Sequence, residues 1–140
     1  MPDFRDMSIY PLCIKEKVRL SDTDRQGHVN NVCFSFFYES GRALIVLDDP
    51  EILDNGCFFV IVSTTIDFNG ELHFPGEVTI ANAVERIGKS SITVRQALFQ
   101  NGRCASISYS TMAQVDIAAK VSRPLSDKAR EHLGRLGISI

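Results

Sequence analysis

The sequence predicts an α+β fold in which an antiparallel sheet of about five to six strands wraps one long central helix. Three observations predict it. A helix-period stretch lies early, between residues 30 and 47. Four β-type segments then follow in a row, from residue 57 to residue 117. Between them stand the turn signals Asn69-Gly70, Pro75-Gly76, Gly88-Lys89 and Asn101-Gly102, the last a strong hairpin signal.

The first strand is predicted over residues 12–20. Lys15, Lys17 and Arg19 alternate there with Glu16, Val18 and Leu20, giving one wet face. A polar loop, residues 21–27, follows. From Asn30 the period changes: Cys33, Phe34, Phe37, Tyr38, Ala43, Leu44 and Leu47 recur at helical steps. Asn30 or Asn31 is the expected N-cap. Gly41, inside this helix, costs about 1 kcal/mol relative to Ala and marks close packing against a neighbour. Apolar residues reach nearly all round, so the helix is expected to be buried on most sides. Asp48-Asp49-Pro50 is the expected stop.

The remaining strands are predicted over residues 57–68, 77–87, 91–100 and 103–117. Pro124 opens the tail, and Ser126-Asp127 caps a short C-terminal helix, Lys128 to Leu136. No repeat, linker or low-complexity segment divides the chain, so residues 1–140 are read as one domain.

Composition narrows the function. Hydrophobic residues make up 44% and charged residues 23% of the 140, which is ordinary for a globular domain. A net charge of -2 supplies no strong positive field for a nucleic-acid backbone. No apolar run approaches the roughly 20 residues that span a bilayer, so no membrane insertion is expected. The start, Met-Pro-Asp-Phe-Arg-Asp, lacks the basic-then-apolar order of a signal peptide, so a cytoplasmic protein is expected. Cys13, Cys33, Cys57 and Cys104 form no CxxC pair and are read as buried or half-buried free thiols. His28, His73 and His132 are scattered along the chain and suggest no zinc-type cluster. No metal or other cofactor is expected.

The chemistry concentrates between the first strand and the helix, in the run from Asp22 to Asn31. A helix start carries unpaired N–H groups and partial positive charge, which suit a developing oxyanion. A carboxylate beside it can act as general base toward water or attack a carbonyl directly. Asp22 and Asp24 are the carboxylates of this run, and His28 and Asn30 are candidate catalytic partners. Asp22 is read as structural, and Asn30 and Asn31 equally as caps. Glu39 and Arg42, spaced i, i+3, are read mainly as a pair on one helix face.

Asp22-Thr23-Asp24, Gly27-His28-Val29-Asn30-Asn31, Phe34, Glu39 and Arg42 resemble the signature of 4-hydroxybenzoyl-CoA thioesterase-like enzymes. The turn at Ile87-Gly88-Lys89-Ser90-Ser91 also looks like theirs, and the resemblance spans about residues 14–124. It implies a hotdog fold, hydrolysis of acyl-CoA thioesters, and a homo-oligomer, either a dimer or a dimer of dimers (a homotetramer). The active site would lie at a subunit interface. The family's catalytic aspartate falls on Asp24, and the backbone amides near Val29, Asn30 and Asn31 would polarise the thioester carbonyl. Phe34 stands where tyrosine is common, so no phenol is available there. Phe34 and Glu39 are candidate substrate contacts. Arg86, Gly88, Lys89 and Ser90, with Arg123, are candidates for holding the pantetheine arm and nucleotide phosphates of CoA.

Two other readings remain. One is a non-catalytic acyl-CoA binder. The other is an enoyl-thioester hydratase, whose familiar motif spaces Asp and His differently and includes an Asn-Pro absent here.

Overall fold

A computed structural model describes residues 2–47, 49 and 51–139. Eight elements follow in order: β1 (Leu12–Lys17), α1 (Asn31–Leu47), β2 (Cys57–Phe68), β3 (Glu77–Ile87), β4 (Ser91–Gln100), β5 (Arg103–Asp116), β6 (Val121–Ser122) and α2 (Asp127–Gly134). Short 3₁₀ turns, Met7–Ile9 and Leu20–Asp22, flank β1. The strands form one antiparallel sheet ordered β1-β3-β4-β5-β2, with β6 beside β5. The curled sheet holds α1 in its concave face, which is the hotdog fold.

β1 is shorter than the alternation of residues 12–20 predicts. Val18 N–H still donates to Gly76 O, but Arg19 N–H is captured by Asp22 Oδ2 at 2.8 Å. That side-chain bond competes with the ladder and turns the chain. The β4–β5 hairpin forms as expected, with Asn101 and Gly102 both at positive φ (53° and 76°), as its two-residue turn requires. At α2, Ser126 is the cap and accepts from Ala129 N–H. Asp48 and Pro50, the expected stop of α1, lie outside the described residues.

α1 buries Phe34, Phe37, Tyr38, Gly41 and Ile45. Beneath it a buried amide pair fixes its height. Gln96 Nε2 donates to Tyr38 O at 2.9 Å and to Asn82 Oδ1 at 2.7 Å, and Asn82 Nδ2 donates to Leu12 O at 3.1 Å. Gly41 sits directly over this pair. A Cβ there would overlap Asn82 Oδ1 and come within 2.7 Å of Gln96 Nε2.

One expectation of burial fails at α1. α1 is not buried on most sides: Val32, Phe36 and Leu47 are exposed, Phe36 at 59%. Among the described residues β2 pairs only with β5, which leaves its other edge open, and Phe58, Val60, Ile61, Val62 and Phe68 are exposed on this strand. The apolar pattern identified both elements, but it does not say which faces a single chain covers. The four thiols are free, and Cys13 is exposed rather than buried. Among the described residues no helix is long and apolar enough to cross a membrane.

Candidate active site

The loop from β1 to α1 is tied at three levels. Asp22 is buried and uses its carboxylate to cap the turn it closes, accepting from Arg19 N–H. Its carbonyl accepts from Asn30 N–H at 2.8 Å. Thr23 and Val29 pair across the loop. At the tip, Asp24 N–H donates to His28 O at 2.8 Å, and Gly27, at φ +81°, makes the reversal that a side chain would resist. Asp24 Oδ1 accepts from Gln26 N–H (2.8 Å) and His28 N–H (3.3 Å). Both bonds fall on one oxygen of an exposed carboxylate.

The helix start is more constrained than the sequence suggests. Asn30 is the N-cap: its Oδ1 accepts from Val32 N–H at 3.0 Å, and its carbonyl from Cys33 N–H. Val29 N–H donates to Leu72 O and Asn30 N–H to Asp22 O, both at 2.8 Å. Of the three amides expected to polarise a carbonyl, two are therefore spent within the fold. Asn31 N–H belongs to the first helical turn, where no intrahelical acceptor reaches. The Asn30 side chain is likewise engaged as a cap.

His28 is half-buried, with Nε2 3.2 Å from Glu71 Oε2 and its ring edge-on to His73, centroids 5.0 Å apart. Phe34 is only 1% exposed and packs on Phe68, so in one chain it belongs to the core. Glu39 is exposed on a cavity of about 220 Å³ that also includes Arg19, Asp22, Cys33 and Phe36. Among the described residues no ion pair joins Glu39 to Arg42. Arg42 turns inward, and its Nη1 donates to Gln96 Oε1 at 3.4 Å. Burial and the nearby Asp22 carboxylate push the Cys33 thiol up, so it stays protonated and is a poor nucleophile.

The candidate CoA contacts lie at the far end of β3. Arg86 and Gly88 share a cleft of about 270 Å³ with Thr93, Tyr109 and Thr111. Lys89 and Ser90 do not line it. Their carbonyls, and that of Gly88, hold β5 and the C-terminal segment instead: Gln114 N–H donates to Ser90 O, Leu125 N–H to Lys89 O, and Arg130 Nη2 to Gly88 O and Lys89 O. Arg123 is occupied by Asp116, Nη2 to Oδ2 at 2.8 Å.

Sequence reasoning missed two participants. Glu71 and His73 join His28 because the chain pairs His28 with His73 across an isolated bridge, a contact with no local signal. Tyr38 donates from its hydroxyl to Ser106 Oγ at 2.7 Å inside the core. Its phenol is pushed far up by burial and cannot serve as an acid–base group near neutrality. The assembled parts are an exposed carboxylate on a tied loop, an imidazole on the same loop that faces Glu71 and His73, a helix N-terminus, and a distant cleft bearing Arg86.

Known structures share this architecture. The PA5185 protein from Pseudomonas aeruginosa superposes with a TM-score of 0.85 at 25% identity, covering 95% of this chain and 96% of that one. A predicted thioesterase from Bacillus stearothermophilus gives 0.81 at 25% identity, over 89% and 95% of the two chains. A thioesterase from Thermus thermophilus, crystallised with coenzyme A and Zn, has the same fold: TM-score 0.80, 23% identity, 91% and 95% covered. No curated protein matches the sequence. Residues 18–133 match the family described as the thioesterase-like superfamily. That match takes in the Asp24 loop, α1, the whole meander and most of α2, and the chain belongs to the thioesterase-like superfamily.

Proposed function

We propose that this protein hydrolyses acyl-CoA thioesters to free acid and CoA, with Asp24 as the catalytic carboxylate in a homodimer. The observation that carries the reading is the exposed Asp24 carboxylate, held by Oδ1 alone at the tip of the loop that runs into α1. The thioester carbonyl oxygen lies against Asn31 N–H and the helix start, which offset the negative charge it gains. Asp24 then takes a proton from water, whose oxygen attacks the carbonyl carbon. Alternatively, Asp24 attacks the carbon itself and water hydrolyses the resulting anhydride. In either route the C–S bond breaks and CoA leaves as thiolate. The only CoA involved is the substrate's own, and no other cofactor takes part.

Distance supports the dimer. Asp24 sits near the start of β3 and Gly88 just past its end, and Glu77–Ile87 spans roughly 30 Å at about 3.3 Å per residue. One chain therefore separates the carboxylate from the Arg86 cleft by a sheet's length. Two β2 edges pairing antiparallel about a twofold axis turn one sheet end for end beside the other. The Asp24 end of one chain then meets the Arg86–Gly88 end of its partner. Such pairing also covers the open, apolar β2 edge, which otherwise invites non-specific association. The Thermus thermophilus thioesterase, crystallised with coenzyme A, supports a CoA-type ligand.

The test is thiol release from a panel of short, long and aromatic acyl-CoAs. Steady release with at least one of them supports hydrolysis and identifies the acyl class. Binding without release points to the non-catalytic binder, and hydration of enoyl-CoA without release points to the hydratase.

A further inference from the structure

We propose that His28, Glu71 and His73 form a binding site for a divalent transition-metal ion of the Zn²⁺ type. The three residues come from two segments that the bridge between His28 and His73 locks side by side. Glu71 and His73, two apart on an extended segment, point the same way. Glu71 Oε2 lies 3.2 Å from His28 Nε2 and 3.7 Å from His73 Nε2, and the three candidate donor atoms all fall within 4.8 Å of one another. An ion with bonds of about 2.0–2.1 Å in tetrahedral geometry holds its donors about 3.3 Å apart. The observed spacings need only small side-chain rotations to reach that.

The support behind the ligands is unusually firm for a surface site. The side chain of the buried Gln100 grips the His73 backbone from both sides: His73 N–H donates to Gln100 Oε1 at 2.8 Å, and Gln100 Nε2 donates to His73 O at 2.9 Å. Val29 N–H donates to Leu72 O, which fixes the residue between Glu71 and His73 against the one following His28. Two imidazoles and one carboxylate suit Zn²⁺, Ni²⁺ or Co²⁺ rather than Mg²⁺ or Ca²⁺, which prefer all-oxygen shells. Three protein ligands leave a coordination position open, and side chains at 31% to 58% exposure give the ion a path in. Without a metal, the cluster amounts to two surface ion pairs on one carboxylate, an arrangement of little energetic consequence.

The experiment titrates tag-free protein with Zn²⁺ against a chromogenic chelator. Wild type is expected to take one equivalent per chain with Kd of about 10 µM or tighter. His73→Ala and Glu71→Gln are each expected to weaken uptake at least about tenfold. Both are exposed positions, and neither variant should unfold earlier than wild type without metal. His132→Ala, whose ring lies beside Asp49 instead, serves as the unaffected control. Co²⁺-loaded wild type should show visible ligand-field bands and no thiolate charge-transfer band. Uptake by wild type weaker than about 100 µM, or undiminished uptake in either variant, overturns the site. A thiolate band overturns it too, by assigning the metal to a cysteine such as the exposed Cys13.

Discussion

The Asp24 carboxylate holds its own turn through Oδ1 and leaves the rest of the group facing solvent. The asparagine substitution is therefore the informative one. Its amide oxygen can still accept from Gln26 and His28 N–H, so Asp24→Asn should change stability by less than about 1 kcal/mol in urea unfolding. Asp24→Ala loses that acceptor and should cost about 0.5–2 kcal/mol. Gly41 tests the packing under the helix. Helix propensity alone favours Ala there by about 1 kcal/mol. The Asn82–Gln96 pair beneath leaves no room, so Gly41→Ala should lower stability by about 1–3 kcal/mol, read from the urea midpoint. At this scale the sequence was legible where function is local. Asp22 as a structural carboxylate, Asn30 as a cap and Gly41 as a close approach all follow from near neighbours. The His28–Glu71–His73 cluster was not legible, because its members meet only through a long-range bridge.

At the scale of elements, the strands and the long helix were readable almost to their ends, because period-2 and period-3.6 patterns are bounded by Gly, Pro and Asn. The end of β1 was misread because a side chain, Asp22, claims a ladder donor. The open face of α1 was misread because an apolar pattern looks the same whether its own chain or a second one covers it. β2 carries the consequence. Val62 is 63% exposed on that edge strand, so Val62→Lys should leave the monomer folded. It should also halve the mass measured by light scattering and suppress turnover with it. Near β6, the backbone N–H of Ala119 and the Arg123 guanidinium hold the Asp116 carboxyl below its ordinary value of 3.8. A folded value below the unfolded one adds stability above about pH 3.8 that fades as pH falls through the folded value. Asp116→Asn should therefore be less stable than wild type at neutral pH, with the gap closing in acid, as followed by thermal unfolding.

For the whole molecule, the sheet's length between Asp24 and Arg86 is the ground for proposing a site shared by two chains. Mixing subunits tests it. Asp24→Asn and Arg86→Glu homodimers should both be poor enzymes. Random reassortment makes half the dimers mixed, each with one intact site, so activity should return to about a quarter of wild type. No recovery would place both residues in one chain's site. Above this stands the identity of the reaction, and the most direct measurement is acyl-CoA thiol release by wild type and by Asp24→Asn, matched for folding and assembly. The expected result is turnover by wild type and a loss of about 10²–10⁴-fold in kcat in the variant, with acyl-CoA binding retained. Equal turnover by the two proteins would contradict a catalytic Asp24, and no turnover by wild type on any acyl-CoA would contradict hydrolysis itself.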